Sequence, residues 1–167
     1  MSESSSKNFN HLKIHTQYSI CEGAIKIDDL QDFSKSNKIQ SLALCDTSNL
    51  CGALEFAEKI SKAGTQPIIG TQINFKYADT IGLLPLFALN EEGYKRIIKL
   101  SSLSYLENDE LSDPHINFDE LLEDNEGVAL FSGTVFGLFG NLFDKGKFSE
   151  IHDLYRKIKS NYNDRFY

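Results

Sequence analysis

Short apolar segments alternate with helical patterns along the whole chain, and this alternation limits the fold more than any other feature. Each apolar segment has the length of a strand and is bounded by Gly, Pro, Asn or Asp. Strands that alternate with helices are typical of βαβ units, so the pattern predicts an α/β fold with a mostly parallel sheet. The predicted strands are residues 11–15, 39–46, 66–75, 83–89 and 127–133.

Helical periodicity fills most of the intervening segments. The longest patterns cover residues 26–38, 49–64 and 90–106, and Asn90 is a candidate cap for the third helix. The second helix is predicted to bury one apolar face, formed by Leu50, Leu54, Ala57 and Ile60. A loop is predicted at 107–117, shorter helices at 118–123 and 147–159, and a packed helix or turn at 133–143.

Composition excludes several classes of protein. With 167 residues and 41% hydrophobic content, one globular domain is expected. The sequence has no apolar run for a membrane span or a secretion signal, so a cytoplasmic location is expected. The three cysteines are odd in number and lack a CxxC spacing, which favours reduced, packed thiols.

Charge argues against DNA binding by this chain alone. The net charge is −7 with only 17 Lys and Arg, whereas nonspecific affinity for nucleic acid comes from cation-rich surfaces. Nine of the 24 acidic residues fall in the stretch 107–126, which contains no Lys or Arg. A solvated acidic surface is the favoured interpretation, and a patch for a basic partner is the alternative.

Polar side chains occur where the predicted strands end. In mostly parallel sheets and barrels, functional residues gather at the carboxyl ends of the strands. Asp46 could act as a base, but Asp in this position more often binds loop amides. The candidate residues at this edge are His15, Asp46, Thr47, Gln72 and Gly133 with Thr134.

Five segments taken in order carry a resemblance to a known family. They are HLKIHTQYSICEGAIKIDDL (11–30), LALCDTSNLCGALEFAEK (42–59), PIIGTQINF (67–75), GYKRIIKLSSLSYLE (93–107) and VALFSGTVFG (128–137). In order and spacing they resemble the N-terminal domain of bacterial DNA polymerase III alpha subunits, which belongs to the polymerase and histidinol phosphatase (PHP) family. The resemblance covers residues 10–167.

The resemblance implies a distorted (β/α)7 barrel, of which this chain is a part, whose active members hold three metal ions and hydrolyse phosphoesters. The ligand positions of the family that fall on this chain are occupied by Lys13, His15, Glu22, Thr47, Gln72, Leu83 and Thr134, with Asp46 retained beside Thr47. Lysine repels a divalent ion, and Thr and Gln bind such ions weakly compared with imidazole or carboxylate. The resemblance therefore implies a remnant pocket without a metal, in which Lys13 stands where the positive charge of an ion was and toward which Glu22 and Asp46 also project. The residues of this remnant pocket are Lys13, His15, Glu22, Asp46, Thr47, Gln72 and Thr134.

For function, the resemblance implies a non-catalytic scaffold in DNA replication that supports the rest of the polymerase alpha chain and docks the proofreading exonuclease subunit. Nucleotide transfer, with its magnesium, would belong to a region far beyond this chain, and DNA would be contacted only by the full-length protein. A free-standing phosphoesterase of the histidinol phosphatase type is the main alternative. A protein-binding module encoded by a short gene is a third.

The ends of the chain carry two further expectations. Residues 1–8 are polar and are expected to form a disordered tail, with the N-terminal part of a PHP domain at 9–167. The final residues, 163–167, have the pattern of a turn that leads into another strand, so further C-terminal strands are expected in a longer protein. A longer form should accordingly melt at a higher temperature.

Overall fold

The computed structural model describes residues 9–106, 108 and 112–167, which form a six-stranded sheet with helices packed against it. The expected tail at 1–8 and part of the predicted loop lie outside the described residues. The strands are β1 (His11–Ile14), β2 (Ser41–Thr47), β3 (Gln66–Tyr77), β4 (Thr80–Ala88), β5 (Ile116–Asn117) and β6 (Val128–Leu130). The helices are α1 (Ile27–Asn37), α2 (Ala53–Lys62), α3 (Glu91–Leu106), α4 (Phe118–Leu122), α5 (Leu138–Asp144) and α6 (Phe148–Tyr162).

The sheet has the strand order β1-β2-β3-β4-β6, and β5 pairs with β3 off this path. Three of the pairings, β1 with β2, β2 with β3 and β3 with β5, are parallel. Strand β4 runs antiparallel to both β3 and β6. This open, mostly parallel sheet confirms the predicted α/β class, a partial distorted barrel.

Strands β3 and β4 form a hairpin with only Ala78 and Asp79 between them, and no helix separates them. The alternation of strands with helices therefore fails here. Both strands are longer than predicted, and the connection left between them is too short for a helical crossover. The sequence predicts Gln72 at the carboxyl end of its strand. Strand β3 is 12 residues long, however, and Gln72 lies inside it.

Strand β2 is buried on both faces, as its apolar sequence predicts. Leu42 and Leu44 pack with α1 and α2 in one apolar cluster. Ala43 and Cys45 alternate with them and join a second cluster on the opposite face with Phe87. All four of these β2 side chains are 0% exposed, which fixes the register of the strand that ends at Asp46 and Thr47.

The predicted apolar face of α2 is wrong by part of a turn. Leu54 is 73% exposed, and the buried residues of the helix are Ala53, Phe56 and Ile60. Both sets have helical spacing, but only the second brings the large Phe56 ring into the core. Among the described residues, no helix has the length and apolar character needed to cross a membrane.

Other local predictions have mixed outcomes. Asn90 caps α3, since its Oδ1 accepts a hydrogen bond of 2.9 Å from the Gly93 amide. The loop predicted at 107–117 contains the short strand β5, whose Ile116 is buried beside Phe75 of β3. Near the end, the predicted turn is a 3₁₀ helix, after which the Tyr167 amide donates to the Leu130 carbonyl of β6 at 3.0 Å.

Candidate functional site

Asp46, near the end of β2, holds the loop that follows β1. Its Oδ1 accepts hydrogen bonds from the Thr16 amide at 2.6 Å and from Ser19 Oγ at 2.7 Å. Its Oδ2 accepts a third from Thr16 Oγ1 at 2.7 Å. All three residues are 0% exposed, so the buried carboxylate is fully engaged by donors of its own chain. Asp46 thus binds one loop amide, as predicted, together with two loop hydroxyls.

A second polar network begins at the next residue, Thr47, whose side chain points to the other face of the sheet. Thr47 and Gln72 are partners in the register of β2 and β3, and Gln72 Nε2 donates to Thr47 Oγ1 at 2.8 Å. Thr47 Oγ1 in turn donates to a carboxylate oxygen of Glu22. Three of the predicted site residues are thus joined without any added ion.

His15 connects the two networks. Its Nδ1 lies 3.7 Å from Glu22 Oε2 and 3.5 Å from Ser19 Oγ. Burial lowers the pKa of His15 below 6.5, with Lys13 acting in the same direction and Glu22 opposing it. The imidazole is therefore mainly neutral at pH 7.

These residues border a cavity of about 180 Å³. Five of the seven residues predicted for the remnant pocket line it, namely Lys13, His15, Glu22, Gln72 and Thr134. Thr47 does not line it but is hydrogen-bonded to the lining residues Glu22 and Gln72. Asp46 is not among the lining residues, because its carboxylate faces the loop instead, and this corrects the expectation that it would project into the cavity. The lining residues are Lys13, His15, Glu22, Gln72, Leu83, Pro85, Gly133, Thr134, Phe136 and Gly137.

The donor set of this cavity does not fit a metal cluster. Within the described ranges, no group of three or more His, Cys, Asp or Glu side chains is placed to hold a metal ion. His15 and Glu22 are the two lining residues with good donors, and the Lys13 ammonium opposes a divalent cation. Leu83 offers no donor at all, so the lining does not fit the three-metal cluster that the resemblance implies for active members of the family.

Two potential nucleophiles near the cavity, Ser19 and Cys45, are not free to react. Ser19 is fully buried and its hydroxyl is committed to Asp46. Burial raises the pKa of the neighbouring Cys45 thiol to about 12, which keeps it protonated. Acyl or phosphoryl transfer through either side chain is therefore excluded in this conformation.

Sequence reasoning missed two parts of the site. The first is the Thr16 and Ser19 pair, although a buried Asp at a strand end needs donors and these are the nearest hydroxyls after β1. The second is Phe136, which borders the cavity and is 82% exposed. No signal in the sequence separates this ring from the other aromatic residues of the segment.

Comparison with known proteins identifies relatives over almost the whole chain. It is 35% identical over 178 aligned positions to a DNA polymerase III subunit alpha of Caulobacter vibrioides, with 100% of this chain and 15% of that protein covered. It is 36% identical over 160 positions to the corresponding subunit of Rickettsia felis, with 95% and 13% covered. The chain thus spans about one seventh of the length of these curated relatives.

The chain also resembles a solved structure and matches the model of a protein family. An amidohydrolase from Chromobacterium violaceum aligns with a TM-score of 0.44 and 14% identity, over 88% of this chain and 54% of that chain. The model of the PHP domain matches residues 11–167. Because this match covers nearly all of the sequence, the chain belongs to the PHP domain family.

Proposed function

We propose that this chain is the PHP domain of a DNA polymerase III alpha subunit and serves DNA replication as a non-catalytic scaffold. The similarity to alpha subunits over 95% or more of the chain supports the assignment to this protein. One observation supports the non-catalytic role: Thr47, Gln72 and Glu22 are hydrogen-bonded to one another, and of the described residues that line the cavity only His15 and Glu22 carry good metal donors. A site closed in this way contributes to the fold but not to hydrolysis.

The proposal assigns other parts of replication to other segments and subunits. Nucleotide transfer with magnesium belongs to the remainder of the alpha chain, which is the first partner of this domain, and DNA is reached only through the full-length protein. The second partner is the proofreading exonuclease subunit, which docks on this domain. The complex is expected in the cytoplasm.

Metal content and hydrolysis test the non-catalytic role. We expect the chain, purified without chelator, to carry less than one equivalent of zinc, manganese or iron, and to hydrolyse p-nitrophenyl phosphate at background with added Mn²⁺ or Zn²⁺. The double variant His15→Ala, Glu22→Gln is the matched control. Hydrolysis that takes place in this cavity is lost in the variant, whereas hydrolysis by a contaminating phosphatase is unchanged. Stoichiometric metal with hydrolysis that the control abolishes would establish the phosphoesterase alternative instead.

Docking is tested separately with the exonuclease encoded in the same genome. We expect the chain and the exonuclease to co-elute in size-exclusion chromatography and to give a saturable isotherm in calorimetry. The cavity variants His15→Ala and Glu22→Gln are measured in parallel, and a loss of binding in them would assign the docking surface to the cavity. A full-length alpha subunit that binds the exonuclease when this domain is deleted would refute the docking assignment.

A further inference from the structure

Gln72 has a buried oxygen that nothing in the described structure satisfies. The residue is 3% exposed, and its Nε2 donates a hydrogen bond to Thr47 Oγ1. Its Oε1 has no hydrogen-bond partner among the described residues. A buried acceptor without a donor is destabilising, so a donor is expected to reach it from the cavity that Gln72 lines.

Lys13 is the cation on the wall of the same cavity. It lies on β1 two residues before His15, which follows the strand, and both side chains line the cavity. In the conformation described it is exposed, but its four-carbon stem is flexible and its ammonium carries three donors. A change of rotamer alone would therefore move the ammonium without moving the strand.

The charges around His15 indicate where the ammonium would settle. Lys13, His15 and Glu22 line the same cavity, and Glu22 Oε2 lies 3.7 Å from His15 Nδ1, so one positive and one negative side chain border this cavity together. Glu22 is the carboxylate on the cavity wall, and its side chain is 43% exposed and open to approach. An ammonium between Glu22 and Gln72 would meet a charge partner and an unused acceptor together.

We propose that the Lys13 ammonium enters the cavity, donates to Gln72 Oε1 and pairs with Glu22, so that the chain supplies its own cation where a metal ion would otherwise be needed. Lys13 is then a positioning residue that joins β1 to β3 through their side chains. The inference rests on the proposed metal-free role of the cavity and adds the group that takes the place of the metal.

Amine labelling of the 167-residue chain tests this position of Lys13. Acetylation by an N-hydroxysuccinimide ester at pH 8, followed by peptide mass spectrometry, compares Lys13 with exposed Lys35 on α1. An ammonium that is held inside the cavity by Gln72 and Glu22 is less accessible to the ester than a solvated one, so Lys13 should react about tenfold more slowly than Lys35. Gln72→Leu should raise the rate at Lys13 several-fold and leave that at Lys35 unchanged.

A second variant protects the test against misfolding of Gln72→Leu. Glu22→Gln alters a partly exposed side chain and should also accelerate labelling of Lys13, with circular dichroism confirming that the fold is intact. Equal rates at Lys13 and Lys35 in the unmodified chain, unchanged by either variant, would overturn the proposal and leave the scaffold function standing. Stoichiometric metal at the cavity with hydrolysis would overturn both.

Discussion

At the scale of single residues, the consecutive positions 46 and 47 have separate tasks. Because side chains alternate along a strand, Asp46 faces the loop after β1 and Thr47 faces the network of Gln72 and Glu22. The first interaction anchors a loop, and the second forms part of a cavity wall. Substitutions at these neighbours should therefore have different effects.

Asp46→Asn should destabilise the fold strongly. The amide keeps the shape of the side chain but replaces one acceptor oxygen by a donor, which then faces donors from Thr16 or Ser19. We expect a loss of about 2–3 kcal/mol in the free energy of unfolding, measured by urea denaturation. Asp153→Asn, at an exposed ion pair with Arg156 on α6, is the control and should change stability by less than about 0.5 kcal/mol. Equal losses would show that Asp46 is not an anchor.

Cys45 should resist thiol reagents in the folded protein. Its pKa is raised to about 12 by burial, whereas Cys21 and Cys51 are exposed. We expect Ellman's reagent at pH 8 to modify two thiols in the native chain and the third only after denaturation. The protonated Cys45 thiol contributes its full stabilisation below pH 9.0, and this contribution is lost as the pH rises toward the raised pKa of about 12. Rapid modification of all three thiols would contradict the burial of Cys45.

At the scale of elements, the β3–β4 hairpin shows where sequence reasoning succeeds and where it stops. Patterns of apolar residues located every strand of the main sheet path, because strands with buried faces must carry them. The relative direction of two strands cannot be predicted in this way, because it depends on the connection between them. The turn at Ala78 and Asp79 contains no glycine that would indicate a hairpin. The site was predicted in the same partial way: the residues were identified, but Asp46 was assigned to the wrong face.

Ala78→Gly should stabilise the hairpin. Ala78 has φ +53°, a left-handed conformation that costs an L-residue about 1–2 kcal/mol. Glycine removes this strain but loses more backbone entropy on folding, so a net gain of about 0.5–1 kcal/mol is expected in thermal melts. The same substitution at Ala57 of α2, where the backbone is helical, should instead lower stability by about 1 kcal/mol. A loss at both positions would argue against the left-handed turn.

Gly93→Ala should be destabilising although alanine favours helices. A Cβ at this position of α3 would lie 1.8 Å from the Gly127 carbonyl oxygen, so the helix could not keep its distance from the turn before β6. We expect a loss of about 1–3 kcal/mol in chemical denaturation. Ser102→Ala, on an exposed turn of the same helix, provides the comparison and should remain within about 0.5 kcal/mol. A stabilised Gly93→Ala variant would show that the contact with Gly127 is looser than described.

At the scale of the whole molecule, charge decides what the domain can bind alone. The net charge of −7 repels a phosphate backbone, and the chain spans about 15% of the length of the relative from Caulobacter vibrioides. The isolated chain is therefore expected to have little affinity for DNA.

Duplex DNA should bind the isolated chain only weakly. At physiological salt we expect a Kd of about 100 µM or weaker in fluorescence anisotropy, the weak limit of nonspecific binding. A lower salt concentration should produce little gain, since few counterions would be released. Binding at about 1 µM that weakens steeply with added salt would reveal a basic surface that the charge balance conceals.

The division of labour between Asp46 and the cavity wall has a consequence for how this domain can change over time. The anchor that keeps the loop in place uses Thr16, Ser19 and Asp46, and none of these lines the cavity. Mutations of wall residues other than His15, which contacts Ser19, should thus cost less stability than mutations of the anchor, so variants can accumulate there with the native state retained. A stable fold with a cavity whose lining tolerates substitution is a favourable starting point for the evolution, or the laboratory selection, of a new binding specificity.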